Sequence, residues 1–377
     1  MVAAGALPPA QAVAAVMKGA DVYLFLIGMM LLSEIARREG VFDWIAVHAV
    51  NAAQGSMQRL FVLVYGAGVA TTIFLSNDAT AVVLTPAVFA AARKAQAPPL
   101  PLLFVCAFTA NAASFVLPIS NPANIVLYGD HTPPLGQWLE HFALSSLVSV
   151  AATFGMLWLV QRRALGVPCA AALDAVPLAA GGRAAFIGLC MAAVLLMIVS
   201  ALDRPLGMPT ALLGAATAGF VLLRQRASPL PVIRGISWSV LPLVAGLFVI
   251  VAALERIGVV AALARLLEQG AHASGAGTAA AAGALIAVGS NVVNNLPAGL
   301  LASSAIAAAH LPQQLVDALL IGVDLGPNLS ITGSLATILW LGAIRREGED
   351  VGFWKFLRVG ALVMPPALVL AIGVRLL

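Results

Sequence analysis

The chain has 377 residues, of which 61% are hydrophobic and only 10% charged, and its mean hydropathy is +1.00. An average soluble domain carries about 25% charged residues, so a soluble enzyme is excluded. Disorder needs the reverse composition, and a membrane β-barrel needs short alternating segments where this chain has long apolar runs. The 34 Gly and 22 Pro fit a polytopic helical membrane protein, whose helices hold more of both than soluble ones. The formal charge of +4 sits in Lys and Arg between apolar runs, so it encodes topology and not nucleic-acid binding. Cys106, Cys169 and Cys190 form an odd, scattered set with no metal-ligand or disulfide spacing, and neither a metal nor a cofactor is expected. The N-terminus lacks a cleavable signal pattern.

A membrane helix needs about 20 apolar residues. On that basis the first span falls at 21–36, followed by an apolar stretch at 60–92 that Ser76-Asn77-Asp78 interrupts. A run at 99–129 is broken by polar residues from Asn111 to Asn124, and plain spans follow at 139–160, 184–202, 209–224 and 239–254. A second interrupted stretch covers 276–308 around Asn291–Pro297, a second broken run covers 314–344 from Asp324 to Ser334, and the last span is 353–375.

An internal repeat organises these elements. Leu26-Ile27-Gly28…Arg38-Glu39-Gly40-Val41 lies over Val244-Ala245-Gly246…Arg256-Ile257-Gly258-Val259 at an offset of 218, Asn77-Asp78 over Asn294-Asn295 at 217, and Asn111…Gly129 over Asp324…Gly342 at 213. Each interrupted stretch is too short for two full spans and reads as a re-entrant hairpin; each broken run reads as a broken helix. The fold class expected is therefore an all-α polytopic membrane protein, with inverted repeats, two re-entrant hairpins and two broken transmembrane helices. Counting the first span, five spans precede its repeat, an odd number, which makes the halves inverted. The units expected are 1–165 (first repeat, shortened at its N-terminus), 166–183 (cytoplasmic linker) and 184–377 (second repeat). The spans at 184–202 and 209–224 have no counterparts ahead of the first repeat, which is the reason for expecting a shortened N-terminus.

With this topology 15 of the 20 Lys and Arg fall on one side; Lys18, Arg204, Arg256, Arg265 and Arg375 fall on the other. By the positive-inside rule the larger group is cytoplasmic and both termini are outside the cell (inner) membrane.

Almost all acidic residues map to loops or span ends; Asp78 and Asp324 sit at the centres of the two kinds of break. A charge at bilayer depth costs about 2.5–3.5 kcal/mol or more, so it usually faces a cavity and serves a function. Both are the candidate proton-coupling groups, with helix capping as the structural alternative. Around them stand Ser76, Asn77, Thr80, Asn111, Ser114, Ser120, Asn121 and Asn124 in one half, and Asn291, Asn294, Asn295, Asn328, Ser330, Thr332, Ser334 and Thr337 in the other. Amides and hydroxyls supply donors and acceptors together, and half-helix ends add unpaired backbone groups. Such a site suits a small hydroxyl-rich or oxyanionic solute, and it contains neither Lys nor Arg. Asp78 is the leading coupling carboxyl, with the non-titrating Asn295 as its repeat mate. Glu34 and Arg37-Arg38-Glu39 read as a solvated cytoplasmic edge, and Asp317 lies on nearly the face of Asp324. His48, His131, His141, His272 and His310 read as loop positions, and Cys106 and Cys190 as packing residues. No phosphate-cradling Gly loop with a Lys is present, so the chain is not itself an ATPase.

Four segments carry a family resemblance: Ser76-Asn77-Asp78-Ala79-Thr80…Pro86, Ser120-Asn121-Pro122-Ala123-Asn124-Ile125-Val126, Asn294-Asn295-Leu296-Pro297, and Asp324-Leu325-Gly326-Pro327-Asn328…Trp340. In these the chain, from about residue 20 to its end, resembles the arsenite/antimonite efflux permeases of the ArsB type, within the ion-transporter superfamily that includes sodium–dicarboxylate symporters and sodium/proton antiporters. The resemblance implies export of arsenite or antimonite as the neutral trihydroxide. The drive it implies is inward proton flow, with sodium as the alternative ion. Partners on this reading are the lipid bilayer, a soluble arsenite-stimulated ATPase as an optional associate, and a second copy of the chain in a homodimer. The alternative reading is an anion or dicarboxylate carrier, or a sodium/proton antiporter, on the same scaffold. Two departures stand out: family members often carry Asp where this chain has Asn111 and Lys where it has Asn328.

Overall fold

The computed structural model describes residues 7–129, 132–174, 177–202, 204–309 and 311–377. His131 and His310 lie outside the described residues.

The chain opens with α1 (Pro9–Lys18) and α2 (Ala20–Arg38), bent by 49° at Gly19, then α3 (Val41–Ala53) and α4 (Met57–Phe74). The returning arm of the first hairpin is α5 (Asn77–Ala79), a π turn at Thr80–Leu84 and α6 (Thr85–Lys94). Then come α7 (Pro99–Ala112), an irregular stretch ending at the cap Asn121, α8 (Pro122–Tyr128) and the long α9 (Leu135–Gln161). The middle holds α10 (Ala180–Ala201), α11 (Gly207–Gln225) and α12 (Leu230–Gly235). The second half runs α13 (Val240–Arg256), α14 (Val259–Ala273), α15 (Gly275–Val293), α16 (Asn295–Ala308), α17 (Gln313–Leu325), α18 (Leu335–Arg346) and α19 (Phe353–Leu376). Six of these helices (α4, α9, α10, α11, α15 and α19) are each long and apolar enough to cross a membrane, so the chain is a membrane protein of the expected fold class.

The same local chemistry builds both halves. Gly40 and Gly258, 218 residues apart, take φ of 73° and 83°, left-handed values that end α2 and α13 and let α3 and α14 start at a new angle. At the second of these corners α13 and α14 bend by 73°. Ser56 and Ser274 then cap α4 and α15, each hydroxyl accepting from the amide three residues on, Arg59 and Gly277, at 3.3 Å. Sequence reading left 41–53 and 259–273 unassigned because these helices are too short to span and alternate apolar with polar faces. α14 shows this plainly, burying Val260, Ala264 and Leu267 on one stripe while Arg265 and Glu268 face away.

The hairpins pack crosswise. α16 of the second hairpin lies against α8, while α18 lies against α5 and the π turn of the first. α9 and α19 run alongside each other, α17 packs on α15 through Gly283 and Gly322, and α11 packs on α2. The linker is strapped across the first half. Asn51 Nδ2 donates to the Leu173 carbonyl at 2.9 Å, Asn51 Oδ1 accepts the Leu173 amide at 2.6 Å, and the Ala170 amide reaches the Ala95 carbonyl at 2.7 Å.

Three expectations change. Glu34 is buried, not solvated, because Arg37 and Arg38 both close on it (2.7 and 2.6 Å) beneath α12. His48, His141 and His272 lie on helices α3, α9 and α14 and not in loops. Aligned cap to cap, Ser76 answers Asn294, so the repeat mate of Asn295 is Asn77 and that of Asp78 is the apolar Leu296.

One pair of repeat mates isolates backbone packing from sequence. A Cβ on Gly28 would strike the Thr210 carbonyl, and one on Gly214 would meet the Gly28 carbonyl at 2.5 Å, whereas a Cβ on Gly246 meets nothing. Overpacking a site with no side chain to yield costs about 1–3 kcal/mol. Gly28→Ala therefore lowers the melting temperature in detergent micelles, and Gly246→Ala leaves it unchanged or raises it.

Candidate functional site

Two broken helices meet in the middle of the protein, and their breaks are held by side chains from each other. Asp324, the penultimate residue of α17, is fully buried; its Oδ2 accepts from Ser114 Oγ at 2.7 Å and its Oδ1 from Asn121 Nδ2 at 2.9 Å. Asn121 serves two elements, since its Oδ1 also caps α8 by accepting the Ala123 amide at 3.0 Å. Beside this clasp Asn111 Nδ2 donates to Asn328 Oδ1 at 3.0 Å, Ser334 Oγ donates to Asn111 Oδ1 at 3.1 Å, and Asn328 Nδ2 donates to the Phe108 carbonyl at 3.1 Å. Asn111 and Asn328, the two departures noted in the sequence, thus form one amide pair. Ser334 and Thr337 form a reciprocal capping box that starts α18, and Asn124 Nδ2 gathers the free carbonyls of Ser114, Leu117 and Pro118.

The tips of the two hairpins frame this web. Ser76 caps α5, and Thr80 Oγ1 lies 2.8 Å from Thr72 Oγ1 across the first hairpin. Ser120 Oγ bonds the Ile73 carbonyl at 3.0 Å, pinning the first break to that hairpin. At the second tip Asn294 Oδ1 caps α16, its Nδ2 reaches the Thr332 carbonyl at 3.2 Å, and the Asn295 amide bonds the Gly333 carbonyl at 2.8 Å. Asn294 holds φ at 77°, a region costing a non-Gly residue about 1–3 kcal/mol that clusters at working sites.

Asn291 braces the second break: its Oδ1 accepts from the amide and hydroxyl of Ser330 (3.0 and 2.8 Å), and its Nδ2 donates to the Gly326 carbonyl at 3.0 Å. Thr332, expected in the site, is exposed and bonds the Asn291 carbonyl at 2.8 Å. It closes the rim and not the interior.

Five buried side-chain oxygens among the described residues have no hydrogen-bond partner: Asn77 Oδ1 and Asn295 Oδ1 at the hairpin tips, Asn124 Oδ1 beside the first break, and Ser145 Oγ and Thr153 Oγ1 on α9. The first two are repeat mates, one at each hairpin tip. A buried acceptor without a donor costs about 1–3 kcal/mol, which makes the three amide oxygens candidate contacts for a donor. Among the described residues the Asp78 carboxylate, half-buried at the first tip, has no hydrogen-bond or ion-pair partner. No Lys or Arg joins the web, and no cluster of three or more His, Cys, Asp or Glu among the described residues could hold a metal.

Asp317 is the polar residue that sequence reading placed least well. It is one turn into α17, fully buried, and bonded to Arg375, Tyr128 and Gln313. Its spacing of seven residues from Asp324 was the available signal; its partners come from α8 and α19, which no local pattern reveals.

Comparison with known proteins places this architecture. The profile of the citrate transporter family matches residues 1–323. The chain is 28% identical over 358 residues to an arsenical pump membrane protein of Yersinia enterocolitica, covering 91% of this chain and 82% of that one. It is 26% identical over 366 residues to an uncharacterized transporter of Mycobacterium tuberculosis, covering 93% and 84%. The crystal structure of the Alcanivorax borkumensis YdaH transporter, described as having an unusual topology, superposes with a TM-score of 0.60 at 19% identity over 97% of this chain and 86% of that one, and shares the fold.

The amide pair generates a test. Asn111→Asp or Asn328→Lys alone places an uncompensated charge in a fully buried web, at about 3–5 kcal/mol. The double variant Asn111→Asp/Asn328→Lys recovers most of that loss, and a double-mutant cycle on thermal unfolding measures the coupling.

Proposed function

Because the chain belongs to the citrate transporter family of membrane carriers, with arsenical pump proteins among its relatives, we propose that it exports arsenite or antimonite in exchange for protons. The carrying observation is the pair of unpartnered acceptors at the hairpin tips, together with a web between the two breaks that holds no cation. Trivalent arsenic at neutral pH is a trihydroxide, an uncharged solute with three O–H donors. Its donors match buried carbonyl oxygens that nothing in the protein satisfies, and binding them removes the desolvation cost of each. A citrate-like anion brings three carboxylates and a single hydroxyl donor, and among the amides of this web it meets no side-chain counter-charge.

Cysteines do not contribute to cargo binding on this reading. Cys106 lies within α7, Cys169 in the linker and Cys190 on α10, so no thiol pair is available and hydrogen bonding replaces thiolate ligation.

A neutral cargo is not driven by the membrane potential, so export against a gradient needs a titrating group. Two carboxyls divide that task. Asp324 is clasped by neutral donors that also span the two breaks, which makes its protonation state a matter for the whole web. Asp78 is unclasped at the tip of a hairpin whose arms are packed on α18, where it can meet cargo or water without disturbing that web. The two units, 1–165 and 184–377, act on this reading as inverted repeats whose breaks face each other. The basic loops and the linker are cytoplasmic and both termini are outside, with an elevator-like or rocking motion exposing the site to each side in turn.

The experiment is uptake of arsenite into inverted vesicles under an imposed proton gradient. Asp78→Asn abolishes proton-driven accumulation while substrate exchange persists; Asp324→Asn lowers both by at least about tenfold, equivalent to about 1.4 kcal/mol. Transport that responds to sodium and carboxylates but not to arsenite overturns the cargo. Wild-type accumulation and pH dependence in Asp78→Asn vesicles overturn the coupling assignment.

A further inference from the structure

The two ends of the bundle are built from corresponding elements with opposite chemistry. Where α8 ends and α17 begins, two nitrogens of Arg375 converge on Asp317 Oδ2, Nε at 2.7 Å and Nη2 at 2.6 Å. Asp317 Oδ1 accepts from Tyr128 Oη at 3.0 Å and Gln313 Nε2 at 2.8 Å, with His141 Nδ1 3.6 Å away. The Asp317 side chain is 0% exposed and that of Arg375 19%. The group joins four helices, α8 and α9 from the first half with α17 and α19 from the second.

The repeat gives the counterpart of each member. At the offset of 213 that aligns the broken helices, Asp317 answers Phe104 and Tyr128 answers Leu341; at 218, His141 answers Val359 and Arg375 answers Leu157. Every counterpart is apolar. The opposite end is closed by rings: Phe104 packs on Phe108, Trp340 and Phe356 with centroids 6.1, 5.9 and 6.0 Å apart, and Trp340 Nε1 bonds the Leu103 carbonyl at 2.9 Å.

Apolar packing therefore suffices to hold this junction in this fold. A buried ion pair is no more stabilising than well-packed hydrophobic residues of similar volume, and often less, since both ions must be desolvated. A buried ion pair kept at one end only calls for a role other than holding the fold. Ion pairs differ from ring packing in how they open. Once water reaches them both partners are solvated and the closed state loses its advantage, whereas separated aromatic faces are penalised by exposure for as long as they stay apart.

We propose that the Asp317–Arg375 group is an ionic latch that lets this end of the bundle open to water, while the aromatic cluster keeps the other end shut until the carrier rearranges. The latch lies along the path from its end of the bundle to the two breaks: Asp317 and Asp324 share nearly one face of α17, about 10 Å apart at 1.5 Å per residue. Ile125, on α8 between the break and Tyr128, is buried and comes into contact with water when α8 and α17 part. The inference rests on the chain being a carrier whose site is reached from each side in turn, and is independent of its cargo.

The test needs no substrate. In a background with Cys106, Cys169 and Cys190 replaced by Ala, Ile125→Cys is exposed to a membrane-impermeant sulfonated maleimide in right-side-out and in inverted vesicles. Labelling is expected from one vesicle orientation only. Replacing the pair by its apolar counterpart chemistry, Asp317→Leu/Arg375→Leu, is expected to slow that labelling about tenfold, the population change that about 1.4 kcal/mol produces. The melting temperature in detergent stays the same or rises. Labelling of the double variant at the parental rate overturns the latch. A double variant that no longer folds overturns it as well, by showing the pair to be structural, and so does a parent that labels from neither face.

Discussion

Backbone without a helix cannot sit in hydrocarbon unless protein supplies every hydrogen bond that water would have made. That requirement governs the centre of this molecule. Two helices stop at Ala112 and Leu325 and restart at Pro122 and Leu335, and each gap strands amides and carbonyls at depth. Asn121, Asn124, Ser114, Asn291, Ser330 and the Ser334–Thr337 box take up these groups one by one. Once the gaps have been filled in this way, few polar side chains remain unoccupied. Those few are the amide oxygens of the hairpin tips and of Asn124, with the Ser145 and Thr153 hydroxyls of α9.

The crosswise packing follows from the same constraint. A re-entrant hairpin ends inside the protein, so its tip needs a polar surface to meet, and the available surface is a break. Had each hairpin met only the break of its own half, the chain could be two separate units. Here α16 lies on α8 and α18 on α5, and Asp324 of one half takes its donors from Ser114 and Asn121 of the other. The two breaks are therefore tied to each other by side chains as well as by helix packing.

How far the sequence could be read follows from the range of each interaction. Hairpins, broken helices and plain spans are visible because they are written in runs of 20 or more apolar residues and in interruptions by Asn, Ser and Asp. Caps such as Ser56, Ser274 and Asn121 are equally local. The short helices α3 and α14 escape because they match neither the span length nor a loop composition. The register at the hairpin tip shifts by one residue because polar letters were aligned, Asn77-Asp78 on Asn294-Asn295, where the fold aligns caps, Ser76 on Asn294. Asn111 and Asn328 were read as the loss of a charge pair; that they bond each other across 217 residues is a tertiary fact no motif carries. Glu34 shows the same limit, since a carboxylate near a span end reads as solvated until the Arg residues that cover it are placed, and the depth of Asp317 follows only once Arg375 is placed against it.

Charge placement joins these observations into one physical picture. In a medium of low dielectric a carboxylate is tolerated when a cation is paired with it, or when it can be neutralised by a proton. Glu34 and Asp317 have the first arrangement, each held by arginine. Asp324 has neither Lys nor Arg against it, only a hydroxyl and an amide, and Asp78 has no partner among the described residues. The Asn111–Asn328 amide pair puts no cation into the web, and the Asp324 carboxyl is held there by neutral donors alone. On the proposed reading an uncharged cargo suits such a web: hydrogen bonds alone would bind it, and a carboxyl without a counter-charge would be left to carry the coupling proton.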